Sequence, residues 1–147
     1  MLNNMVRINN EYYLSFEVAK LLKEFGFDWE CRCYYETSGK LRGKNSGNFY
    51  NYNSPLLWQN NGNTDTQLYS APTLDVAQRW LREVKNIRLL VETGPELYIV
   101  ESYTLAYGYW TPTCLLHDGI EYERFYTYEK ALEAGIKKAL EIILKEK

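Results

Sequence analysis

Histidine is almost missing from this sequence of 147 residues, which holds only His117. Activating a serine or cysteine nucleophile ordinarily takes a histidine as base, so a single one leaves little room for that chemistry. The phosphate-cradling patterns are absent too: neither GxGxxG nor GxxxxGK followed by Ser or Thr occurs. No enzyme and no cofactor is therefore expected. Three cysteines, Cys31, Cys33 and Cys114, are an odd number and too few for a disulfide scaffold, which fits a reducing compartment. No uninterrupted apolar run approaches the roughly 20 residues that cross a bilayer, so no membrane partner is expected. The first 13 residues carry Asn3, Asn4, Arg7, Asn9, Asn10 and Glu11 and lack the apolar stretch of a secretion signal, which points to the cytoplasm. Excess basic charge is missing as well. A net charge of −2 gives no general attraction to a polyanion and argues against nucleic acid as partner.

What the sequence has in quantity is aromatic residues, with 14 Tyr, 5 Phe and 4 Trp, concentrated outside the helical segments. Tyrosine suits half-buried sheet faces and binding surfaces alike, since its ring packs while its hydroxyl stays wet. Hydrophobic residues at 46% and charged residues at 24% are ordinary globular proportions, and the length fits one domain over 1–147.

Periodicity predicts three amphipathic helices. The first runs from Phe16 to Phe25 with Ser15 as N-cap, Val18, Leu21, Leu22 and Phe25 on one face, and Gly26 as its stop. A strand follows over Trp29 to Glu36, placing Trp29, Cys31, Cys33 and Tyr35 on one face by the period of two. Residues 37–67 then turn rich in glycine and asparagine, with the basic group Lys40, Arg42 and Lys44. Phe49, Tyr50, Tyr52, Leu56, Leu57 and Trp58 make this stretch too apolar for a free linker, so it is expected to fold back over the core without a domain boundary. The second helix follows Pro72 and Thr73, buries Leu74, Ala77, Trp80, Leu81 and Val84, and stops at Asn86. Strands are expected over Ile87 to Thr93 and Leu97 to Tyr103, joined through Gly94-Pro95-Glu96. More strands are expected within Leu105 to Thr113 and around a turn at His117-Asp118-Gly119. The last helix, Tyr128 to Lys145 with Thr127 as N-cap, should bury Leu132, Ile136, Ala139, Leu140 and Ile143 and keep Glu133 and Lys137 on its wet side. The fold class is thus α+β, three amphipathic helices on a mainly antiparallel sheet.

Three blocks, SFEVAKLLKEFGFDWEC from Ser15, YSAPTLDVAQRWLREVKNI from Tyr69 and YTYEKALEAGIKKALEII from Tyr126, resemble a family of small hypothetical proteins from phages and prophages of Bacteroidales gut bacteria. The resemblance implies a phage or mobile-element origin and action inside the bacterial host cell. It implies no catalytic residues.

Two constellations could carry function. Cys31 and Cys33, with Cys114 and His117, are residue types that zinc accepts, although a CxC pair on a strand is more often two small core residues. Lys40, Arg42 and Lys44 beside Tyr50, Tyr52 and Trp58 combine charge with rings, as a macromolecular contact surface does. The second is the stronger, and the expected function is binding of a host or phage protein, or self-association, through this aromatic stretch. A ligand-binding or enzymatic domain with a tyrosine-lined pocket is the alternative. A nucleic-acid module is a further one, because the order helix, strands, helix from Thr73 onward is similar to that of double-stranded-RNA-binding and HicB-like domains.

Overall fold

The computed structural model describes residues 4–54, 67–93, 98–106, 109–113, 117–118, 121–122, 124–125 and 127–146, with only the backbone described over 92–124 and 142–146. The architecture is α+β, and every strand pairing described is antiparallel. The chain forms two compact units, 1–73 and 74–147, so the division falls at the start of the second helix rather than inside the Asn-rich stretch.

The first unit begins with β1 (Val6–Ile8) and β2 (Glu11–Tyr13), a hairpin that periodicity does not announce. Asn9 and Asn10 turn it with φ of 52° and 66°, the left-handed pair that a two-residue hairpin loop needs. Arg7 secures the turn by donating to Asn10 Oδ1 at 2.9 Å. Helix α1 (Phe16–Glu24) starts where Ser15 Oγ accepts from the Val18 N–H. It ends in a Schellman arrangement, with Phe27 N–H reaching Leu22 O and Gly26 N–H reaching Lys23 O while Gly26 holds φ 87°. A small sheet of β4 (Leu41–Arg42), β3 (Tyr34–Tyr35) and β5 (Tyr69–Ser70), in that order, completes the unit. Its inner face joins α1 in a core of Tyr13, Phe16, Ala19, Cys33, Tyr35, Leu41 and Ala71. Tyr35 also donates its hydroxyl to the Leu14 carbonyl at 2.6 Å, so burying that ring strands no polar group.

The expected strand over Trp29 to Glu36 is regular only at Tyr34–Tyr35. Its neighbours are two-residue strands, and Cys31 makes a single bridge to Tyr50 instead of joining a ladder. The alternation nevertheless holds, since Cys31, Cys33 and Tyr35 are all buried.

The second unit runs α2 (Leu74–Val84), β6 (Ile87–Thr93), β7 (Tyr98–Ala106), β8 (Tyr109–Thr113), β9 (His117–Asp118), β10 (Glu121–Tyr122), β11 (Arg124–Phe125) and α3 (Tyr128–Glu146). Strand β7 pairs with β6 along one edge, and with β11 and then β8 along the other. Helix α2 buries Leu74, Ala77, Trp80 and Leu81 and stops before Asn86, whose φ of 58° breaks the helix. Val84 does not join that stripe; it is exposed at the helix end. Helix α3 is capped by Thr127 Oγ1, which accepts from the Lys130 N–H at 3.1 Å, and it buries Ala131, Leu132, Ile136, Ala139 and Leu140. Glu133, expected in water, is buried. His117 is not in a turn: it pairs with Tyr122 across the β9–β10 ladder. Gly94-Pro95-Glu96, Leu56, Leu57, Trp58, Cys114 and Gly119 lie outside the described residues, as does the side chain of Ile143.

Candidate functional site

The basic group rides on the β3–β4 hairpin. Glu36 and Lys40 close its turn with a backbone bond of 3.0 Å, around Gly39 at φ 89°. Arg42 donates to Glu36 Oε1 at 2.8 Å, so its charge is already engaged, while Lys40 and Lys44 project into water. Between them the chain from Lys40 to Ser46 lines an open depression of about 420 Å³ with no tyrosine in its wall.

Past this loop the chain returns over the outer face of the sheet and is fastened residue by residue. Tyr50 exchanges backbone bonds with Cys31, at 2.8 and 3.0 Å. The Tyr52 N–H donates to Ser70 Oγ at 3.0 Å, Asn53 Nδ2 donates to the Phe27 carbonyl, and Asn53 Oδ1 accepts from the Ser70 N–H. Asn51 and Asn53 therefore make turns and replace backbone pairing with their side chains. Tyr52 ends up buried, its ring stacked on Tyr34 with centroids 4.4 Å apart and met edge-on by Tyr50 at 5.8 Å. Burial, followed by the neighbouring phenols of Tyr34 and Tyr50, pushes the Tyr52 hydroxyl above its ordinary pKa. Phe49 and Tyr50 are 56% and 45% exposed.

The aromatic arm and the basic loop converge on the Arg32 carbonyl. Tyr52 donates its hydroxyl to it at 3.5 Å, and Gly43 lies so close beneath it that a side chain at 43 would overlap the oxygen. Arg42 stands opposite Tyr34 in the ladder. Arg42 and Tyr52 thus both neighbour Tyr34, while Lys40 and Lys44 belong to the hairpin and its following loop and Tyr50 to the arm. Tyr52 holds the arm through Tyr34 and Ser70, while Arg42 is engaged by Glu36.

Sequence reasoning set Phe49 beside the basic group with Tyr50 and Tyr52, as a possible base-stacking site, and missed Arg32 altogether. The Arg32 guanidinium donates to the Tyr13 hydroxyl, which donates in turn to Glu11 Oε2 at 3.2 Å, with Glu11 3.7 Å from Arg32. Burial raises the Tyr13 pKa against the lowering effect of Arg32. Tyr13 and Glu11 lie 19 and 21 positions from Arg32 in sequence, so no local pattern announces them.

In comparison with known proteins, no family model, curated protein or solved structure matches this chain.

The cysteine pair fits the core more than a metal. Cys31 and Cys33 are 4% and 0% exposed, and burial pushes the Cys31 thiol up from an ordinary 9.0 to about 12. A thiol that resists ionisation is a poor ligand and a poor nucleophile. Among the described residues no group of three His, Cys, Asp or Glu could hold a metal ion, while Cys114 and the His117 side chain lie outside them. Two outcomes are expected. At neutral pH a thiol reagent should label Cys31 and Cys33 in the native protein at least about a hundredfold more slowly than in the denatured one. Stability should also fall as pH rises from 9.0 toward 12. The sign follows from the raised pKa: the unfolded thiol ionises first, so the folded state binds more protons across that window. Rapid labelling of native protein would place the thiols at the surface.

Proposed function

We propose that this chain is a non-enzymatic accessory protein of phage or prophage origin, acting in the cytoplasm of its bacterial host. Its task is to bind a protein partner through Phe49 and Tyr50, with Lys40 and Lys44 at the rim. The observation that carries this reading is the adjacent, exposed pair Phe49–Tyr50 on an arm whose backbone is tied at Cys31, Phe27 and Ser70. Exposed rings on an ordered backbone lose little conformational freedom when a partner covers them, which is why aromatics serve as interface anchors. A protein partner is favoured over nucleic acid because Arg42 is engaged by Glu36 and the net charge is −2. No helix among the described residues is long and apolar enough to cross a membrane.

The test is parallel affinity capture from infected or lysogenic host cells with the wild type and with the double variant F49A/Y50A. Losing the Phe49 ring should change stability within about 0.5 kcal/mol and losing the Tyr50 ring, with its edge contact to Tyr52, by about 1 kcal/mol, so the variant should fold. A partner held by the wild type should be lost by on the order of a hundredfold in affinity if the two rings are its anchors. Equal retention of every captured protein by both forms would sink the assignment.

A further inference from the structure

Among the described residues strand β6 has an unpaired edge: its strand partner is β7 alone, while β7 is occupied on both sides. Seven residues, Ile87–Thr93, form this edge without a proline or glycine. By contrast β8, on the other side of β7, carries Pro112, a residue that blocks further pairing. An open edge of this length is a template for another strand unless something covers it.

Its sequence, IRLLVET, is complementary to itself when reversed about Leu90. Pairing two copies antiparallel in that register sets Arg88 opposite Glu92, Leu89 opposite Val91 and Leu90 opposite Leu90. Each pair joins residues of the same parity, so the buried positions Ile87 and Leu89 stay on one face and the exposed Arg88 stays on the other. Within the sheet, Arg88 stands directly across from Tyr103 and Glu92 from Ile99, with Glu101 of β7 diagonal to Arg88. Gln78 Nε2 donates to the Leu89 carbonyl at 2.9 Å, which uses one of that oxygen's two lone pairs.

We propose that β6 is the interface of a two-fold dimer, its edge pairing antiparallel with β6 of a second copy about an axis at Leu90. The sheet then continues across the axis, with two symmetry-related Arg88–Glu92 pairs fixing the register. Residue-for-residue charge complementarity selects a second copy of this chain over an unrelated strand. The proposal is independent of Phe49 and Tyr50.

The test uses the full chain and native mass spectrometry, with sedimentation as the quantitative readout. The wild type should be a dimer. R88E and E92R should each weaken it by about tenfold or more, because each variant places like charges opposite one another twice. An equimolar mixture of the two variants should form a mixed dimer, since Glu at 88 then faces Arg at 92 at one end and the wild-type Arg and Glu face each other at the other. That rescue passes between chains and cannot come from a repaired fold, and circular dichroism of each variant alone checks the fold. A monomeric wild type, a dimer indifferent to both variants, or variants that weaken the dimer but fail to form the mixed species would each overturn the proposal.

Discussion

Replacing Trp80 by alanine is expected to remove about 3–5 kcal/mol of stability, the largest effect of any single truncation in the second unit. Trp80 is 0% exposed and sits in the buried stripe of α2 with Leu74, Ala77 and Leu81. The loss has two parts: the transfer free energy of a large aromatic surface, and a cavity that helices packed at crystal-like density cannot close. Domains of this size hold about 5–15 kcal/mol in all, so the change approaches the point where the unit no longer folds. Urea unfolding followed by far-ultraviolet circular dichroism measures it without relying on the deleted fluorophore. A change below about 1 kcal/mol would mean that Trp80 is not enclosed as described.

The second large effect is expected at Gly43, where alanine should cost about 2–4 kcal/mol, summing backbone strain and a steric clash. Gly43 holds φ 89°, which a side chain disfavours, and the added carbon would overlap the Arg32 carbonyl oxygen and press on Cys33 Cα. Neither obstacle is a flexible side chain, so the hairpin itself must move. Because the same carbonyl accepts from Tyr52, the displacement should reach the aromatic arm. Gly26 provides the control. Its φ of 87° is alike, but nothing lies within 4 Å of an added carbon, so Gly26→Ala should lose only the strain, about 1 kcal/mol. Thermal or urea unfolding of the two variants side by side checks the order, and equal losses would remove the claimed close approach at Gly43.

The helices were legible because each repeats its apolar residues at three and four, a period that nothing but burial of one face explains. Their ends were legible for a different reason: Ser15, Gly26, Asn86 and Thr127 are residues whose chemistry suits caps and left-handed stops, and each occupies that role. The first hairpin escaped because Asn9 and Asn10 read as polar residues of a terminal stretch rather than as two residues that tolerate positive φ. Val84 and Glu133 mark the limit of periodicity, which assigns a face but not where a neighbouring element stops covering it.

The candidate site was legible in composition and opaque in geometry. Counting rings and charges between 37 and 67 located the segment. A period of two would place Tyr50 and Tyr52 on one face, yet one is exposed and the other buried. The alternation fails because the chain turns at Tyr52 and Asn53, with the Asn53 N–H bonded to Asn51 Oδ1 and the Asn53 side chain tied to Phe27 and Ser70. Those partners lie 26 and 17 positions away in sequence, beyond any local pattern. Phe49 was legible beside the basic group, but its exposure follows from where the arm is fastened.

Hydroxyl-radical footprinting of the full chain, alone and then with its captured partner, tests the binding face most directly. In the free protein Phe49 and Tyr50 should be oxidised readily and Tyr52 protected, in keeping with exposures of 56%, 45% and 8%. Adding the partner should protect Phe49 and Tyr50 and leave Tyr52 unchanged. Equal oxidation of Tyr50 and Tyr52 in the free chain, or no new protection of Phe49 and Tyr50 in the complex, would contradict the assignment of this arm as the contact surface.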